Sequence, residues 1–374
     1  MLEFHNYTVA PYPLGTGAGT SLRFQVGAMP KALWLDFSDF TTLWLASDET
    51  GGNVSAERET IGKIDDKSGN NLHFTQADAG KEPEFNRLLK ANADLSGEPD
   101  LVPDPYFGDD TGWTLQGEWT IADNTLSITD STSTYAAYLD NAPEAGKWFY
   151  YEFTVDSGSM YGLYQAANGY IGGIGKTAGT YTGLFQSDGT PVRFVVVANR
   201  TVVISHFSLK EIPDSELVNV ITPDGVDDAI GVDSGSLPSN CSIFCAVKTT
   251  DTSAVLFSDK NVNIRYLGAL VDGNPSVPYE NAGTPTTHVD DGPNLATRDA
   301  LHTAIADDAW HTLEIAEANL SGWANFSISY PGTATASNNF AGRIGESVII
   351  IPTANLTEAR RHTILAYLRK GVGL

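Results

Sequence analysis

The stretch from Leu33 to Gln76 constrains this chain most. Leu33-Trp34-Leu35-Asp36-Phe37-Ser38-Asp39 and Leu43-Trp44-Leu45 are followed by a Gly-rich turn and then by residues 61–76, ending Leu72-His73-Phe74-Thr75-Gln76. Apolar and polar positions alternate, and Gly, Asn, Asp and Ser bound each run. Half-buried strands require that pattern, because successive side chains in a strand point to opposite faces. The stretch reads as the start of a β-sandwich.

The same texture continues along the chain. With 36 Gly and 18 Pro in 374 residues and 41% hydrophobic residues, there is turn material for an all-β architecture and enough apolar surface for more than one core. Around Pro99 the pattern changes. Between residues 99 and 213 roughly eight short strands are expected, among them Trp148 to Val155, Tyr161 to Gln165, Val192 to Val197 and Val202 to Leu209, which is the size of one small sandwich. The first texture resumes after Pro213 and includes Trp310-His311-Thr312-Leu313-Glu314-Ile315. The expected organisation is an N-terminal arm or docking segment (1–30), an outer sandwich in two pieces (31–98 and 214–374) and an inserted sandwich (99–213). The arm contains Pro11-Tyr12-Pro13, Gly15-Thr16-Gly17-Ala18-Gly19 and an extended Leu22-Arg23-Phe24-Gln25-Val26. One clear helix closes the chain, with Thr357 as N-cap, Ile364, Leu365 and Leu368 as its apolar stripe, and Arg369-Lys370-Gly371 as its end.

The Trp34-to-Asp39 segment, the later Asp66-Lys67-Ser68-Gly69-Asn70-Asn71-Leu72-His73, the run Pro223-Asp224-Gly225-Val226-Asp227-Asp228 and the closing Gly342-Arg343-Ile344-Gly345-Glu346 occur in the order found in one family. Together they resemble the concanavalin A-like (laminin-G-like) jelly rolls of tailed bacteriophages. Residues 99–213 look like a carbohydrate-binding-module-like jelly roll, from the Leu101-Val102-Pro103-Asp104 start, Gly112-Trp113 and the final Leu209-Lys210-Glu211-Ile212. The resemblance implies an all-β fold of two sandwiches (jelly rolls), one inserted in the other, with a short C-terminal helix. It also implies a virion protein touching other capsid or tail proteins through the N-terminal arm, and a Ca²⁺ bracing a loop.

Composition excludes some roles. Twenty-two basic against 46 acidic residues give a net charge of −24, and no Lys/Arg cluster of the kind that neutralises phosphates is present, so nucleic acid is not an expected partner. Neither a basic leader nor an apolar run of membrane-spanning length is visible, so secretion by a signal peptide and membrane insertion are not expected. Cys241 and Cys245 would lie about 13 Å apart along a strand, beyond the ~7 Å that a disulfide bridges, and are expected to be buried free thiols.

Catalytic patterns are thin. Glucanases of this fold carry Glu-x-Asp-x-x-Glu on one strand, and of the nearest approximations here, Glu314 with Glu317 lacks the central Asp and Asp36 with Asp39 falls where the resembled family carries a structural turn. Gly169 to Thr177 is Gly-rich, but Tyr170 stands where a phosphate loop needs Gly, so a hairpin turn is expected. His73 and His311 fit hydrogen bonds within the sandwich better than a zinc site. Acidic pairs in loops offer hard oxygens for Ca²⁺; Asp227, Asp228, Asp290 and Asp291 are the candidates, and no other cofactor is expected.

Sugar binding is the chemistry best supplied, since aromatic faces stack on pyranose rings and polar side chains bond the hydroxyls. In Trp148-Phe149-Tyr150-Tyr151-Glu152-Phe153 the all-aromatic face of Phe149, Tyr151 and Phe153 should be core. That leaves Trp148 and Tyr150, with Tyr161, Tyr164 and Tyr170, as ligand candidates. The expected function is glycan attachment by a non-enzymatic virion protein, acting as a homo-oligomer such as a trimer. The alternatives are a decoration or tail protein making only protein contacts, and a glycan depolymerase.

Overall fold

The computed structural model describes residues 22–27, 29, 31, 33–50, 52–54, 59–233, 237–259, 265–329 and 339–374. It is an all-β architecture of four antiparallel sheets arranged as sandwiches. Residues 1–21, which hold most of the expected docking arm, including Pro11 to Pro13 and Gly15 to Gly19, lie outside the described residues.

One sandwich combines a seven-stranded and an eight-stranded sheet. Strand Arg343–Pro352 runs through the first sheet, with Asn240–Lys248 along one edge and Leu33–Asp36 and Leu217–Thr222 sharing the other. Its residues divide by alternation: Ile344, Val348 and Ile350 enter the sandwich core with Phe74, Phe257 and Phe326, whereas Ile349 and Ile351 lie on the outer face. The C-terminal helix Glu358–Val372 covers that outer face with Ile364, Leu365 and Leu368. Thr357 caps it by accepting from the Arg360 amide, as the sequence suggests. The helix runs past Gly371 and ends at Gly373, whose φ of +81° is the left-handed conformation glycine tolerates. Gly371 serves packing: a Cβ there would sit 2.6 Å from Glu346 Cγ.

The Trp34-to-His73 motif is a hydrogen-bonded knot. Asp66 accepts from the Trp34, Ser68 and Leu72 amides, and the Lys67 amide bonds back to the Trp34 carbonyl. Asp36, fully buried, receives Arg23, Lys67 and Ser38. Unpaired, that carboxylate would be costly to bury, so the opening strand and the Asp65–His73 turn are tied together.

Two helices depart from expectation. Residues Leu22–Gly27 form a helix rather than an extended segment, because Val26 gains a buried place beside Trp34 and the C-terminal helix. Arg298–Ile305 is a helix capped by Thr297, with Leu301 and Ile305 buried one turn apart.

All ten strands from Trp113 to Ile212 pair only with one another, forming two five-stranded sheets over a core of Phe107, Phe153, Phe194 and Phe207. The chain leaves the first sandwich after Glu84–Leu89 and re-enters at Leu217–Thr222, and Leu89 faces Leu217 across that pair. The Gly169 to Thr177 run is not a hairpin. Gly169–Ile171 belongs to one sheet and Lys176–Gln186 to the other, and the glycines carry the chain across, Gly172 lying so close that a Cβ would meet the Tyr151 hydroxyl at 2.0 Å. Cys241 and Cys245 are free and buried, and burial pushes the Cys241 thiol up to about 12. Among the described residues no helix is long and apolar enough to cross a membrane.

Candidate functional site

One sheet of the 113–212 sandwich has the strand order Gly169–Ile171, Gly162–Gln165, Arg193–Val196, Tyr135–Leu139, Trp113–Leu115. On each strand alternation sends one set of side chains inward: Ile171, Leu163, Phe194, Ala137 and Leu139, and Trp113 are buried. Their neighbours face outward. Register then aligns Tyr170 with Tyr164, Tyr164 with Arg193, Arg193 with Tyr138, and Tyr138 with Thr114. Five outward side chains thus form one row across five strands, about 19 Å long at a strand spacing of ~4.8 Å.

The row is internally packed. Tyr164 and Tyr170 meet edge to face with centroids 5.1 Å apart, and Tyr161 joins Tyr170 at 5.3 Å. The Arg193 guanidinium lies 4.3 Å from the Tyr164 ring centre and 5.2 Å from that of Tyr138, and its Nη1 donates to the Tyr138 hydroxyl at 2.8 Å. Thr114 donates to Asp140 at the far end. A half-exposed surface of rings interrupted by polar groups can stack on sugar faces and bond their hydroxyls.

Of the sequence candidates, Tyr161, Tyr164 and Tyr170 are brought together here. Tyr150 is on the outer face of the opposite sheet, in a groove of about 440 Å³ with Asp100, Tyr106, Glu152, His206 and Lys210. Its hydroxyl lies 3.5 Å from Glu152, and Tyr106, 64% exposed, packs on His206 at 5.0 Å. Trp148 is not available to a ligand. It is 3% exposed, packed with Ile212 and Leu217 where the two sandwiches meet. Alternation placed it correctly on the outer face, but that face is covered. Tyr138, Arg193 and Thr114 are additions that sequence reasoning missed; an Arg between Val192 and Phe194 in an apolar strand was the available signal for Arg193.

The acidic candidates separate. Asp227 and Asp228 group with Asp224, their carboxylate oxygens within 4.8 Å of one another, an arrangement that can hold a Ca²⁺. Asp224 already accepts from the amides of Val226 and Asp227, and burial pushes the Asp228 carboxyl up to about 7. Asp290 and Asp291 are held by different partners. Asp290 bonds His311 and Thr312, while Asp291 pairs with Arg361 at 2.6 Å. Glu314, 3% exposed, is also held by Arg361.

No family model matches this chain, and no curated protein matches it in sequence. Solved structures similar to it include the N-terminal tandem of two CBM22 carbohydrate-binding modules from Paenibacillus barcinonensis Xyn10C, at 9% identity and TM-score 0.26 over 71% of this chain and 100% of that one. Another is the M60 catalytic domain with its CBM51 modules from Clostridium perfringens ZmpB, at 7% identity and TM-score 0.20, covering 72% of this chain and 41% of that one. Superpositions this loose carry no argument about what the chain binds.

Proposed function

We propose that this chain is a non-catalytic glycan-binding protein, displayed in many copies on a phage particle, and that the Tyr170-Tyr164-Arg193-Tyr138-Thr114 row is its binding platform. The observation that carries the reading is the row itself: register brings three tyrosines and an arginine from separate strands into one outward line on a sandwich whose own core they do not fill. The linear shape suits a run of sugars, and the rings supply stacking with little side-chain entropy to lose. Single-site sugar binding is weak, and display on a particle multiplies it by about 10²- to 10⁴-fold.

The test is a glycan array with the full chain, followed by titration of the best ligand against Tyr164→Ala and Tyr138→Ala. Losing one stacked ring should weaken binding about tenfold, on the order of 1.4 kcal/mol. Wild-type affinity in both folded variants would remove the row as the site.

A further inference from the structure

The central member of the row is a cation, and its bonding is incomplete. Arg193 uses Nη1 on the Tyr138 hydroxyl. Its Nε and Nη2, which together form the side-on fork of a guanidinium, have no hydrogen-bond acceptor among the described residues, and no carboxylate there pairs with Arg193. The same fork on Arg23 shows the preference, with Nε and Nη2 both donating to Asp36.

The fork is also held in place. Tyr164 and Tyr138 flank the guanidinium at 4.3 and 5.2 Å, so little side-chain freedom remains to be lost on binding. Asp188 accepts from the Ala167 amide and Thr190, and Asp140 accepts from Thr114 at the end of the row; neither forms an ion pair with Arg193. On a chain of net charge −24, Arg193 is thus a cation without an ion-pair partner among the described residues, set between two stacking rings.

We infer that the row takes a carboxylate-bearing glycan, with neighbouring sugars on Tyr164 and Tyr138 and the acid group seated on the Nε–Nη2 fork of Arg193. The inference rests on the reading of the row as a glycan platform. A planar guanidinium edge matches a carboxylate with two parallel charge-assisted bonds, which a neutral sugar hydroxyl cannot reproduce.

The test is calorimetric titration of the full chain with polygalacturonate oligomers against their methyl esters, and with sialyllactose against lactose. The first pair probes an acid within a chain and the second a terminal acid. Tighter binding of at least one acidic probe, by tenfold or more over its neutral partner, is expected. Arg193→Gln should erase that margin, so that the acidic probe and its neutral partner bind alike whatever their common affinity, and Arg193→Lys, which keeps the charge without the fork, should retain part of the margin. Near-ultraviolet circular dichroism checks that both variants keep the tyrosine packing. Equal affinity for acid and neutral partners, or an acid preference that survives Arg193→Gln, overturns the inference; neutral binding that still depends on Tyr164 would then leave the platform reading standing. No binding of any glycan, on the array or here, removes both.

Discussion

Trp148 is the residue whose replacement tests the architecture most directly. It sits between the sandwiches with Ile212 and Leu217, and Leu89, Leu95, Tyr150 and Leu184 pack around that group. Arg87 lies 5.8 Å from its ring centre, but is independently held by Asp214 and Asn219 and should stay in place. Burying an indole removes about 200 Å² from water, worth about 5 kcal/mol at ~25 cal/mol per Å². Alanine keeps a small part of that and leaves a cavity, so Trp148→Ala should cost about 3–5 kcal/mol.

The form of the loss matters as much as its size. Each sandwich has its own buried core, and the Trp148 cluster belongs to neither. Weakening it should uncouple them, so that a calorimetric scan of Trp148→Ala resolves two transitions, the earlier one about 10 °C below the wild-type midpoint. Trp148→Phe, which retains apolar contact, should lose less. A variant melting within about 2 °C of wild type would refute the claim that this seam carries stability. Glycan affinity should survive the substitution, since Trp148 is not in the row.

Two further substitutions probe buried charge. Burial, with Asp36 nearby, pushes the Glu346 carboxyl up to about 7 from an ordinary 4.5. Below the lower value it is protonated folded or unfolded and costs nothing, so this group should lower stability as pH rises from 4.5 through 7, by about 3 kcal/mol; urea unfolding of Glu346→Gln at pH 4.5 and 8 should show a visibly smaller loss across that range than wild type, the remainder coming from other buried carboxyls pushed up by burial, Asp228, Asp251 and Glu314 among them. Arg361→Ala would strand the buried Glu314 carboxylate, at a cost of about 3–5 kcal/mol at pH 8 and less at pH 5, where protonation relieves it; equal melting-temperature losses at the two pH values would contradict that account.

What could be read in advance follows from what alternation encodes. In Trp148–Met160 it sorted Phe149, Tyr151 and Phe153 into the core, where they are found. It could not say that the outer side of the same strand is covered at Trp148 and half-open at Tyr150, because cover comes from Leu217 and Leu89, well separated in sequence. Tyr135–Leu139 escaped notice since its two alanines give little contrast, and with it went Tyr138. The helix Arg298–Ile305 was hidden beyond a polar loop, although Thr297, Leu301 and Ile305 have helical spacing. Adjacent acids also mislead: Asp290 and Asp291 read as one metal-binding pair, yet their side chains go to His311 and Arg361 respectively.

The two sheets of the 113–212 sandwich divide the work between them. Trp148, Leu184 and Ile212, which meet the other sandwich, come from the sheet containing Trp148–Met160, whereas every member of the tyrosine–arginine row comes from the opposing sheet. In a sandwich the outer faces of two packed sheets point in opposite directions. The row therefore faces away from the side on which the rest of the chain is anchored, the geometry a display module needs. Charge supports the same division: a net charge of −24 repels acidic polymers at long range, but at ~0.1 M salt that repulsion is screened beyond about 10 Å, whereas the Arg193 fork acts at hydrogen-bond distance. Selectivity for an acid group at the row and a strongly acidic surface elsewhere are thus compatible, the first set by contact geometry and the second by the far field.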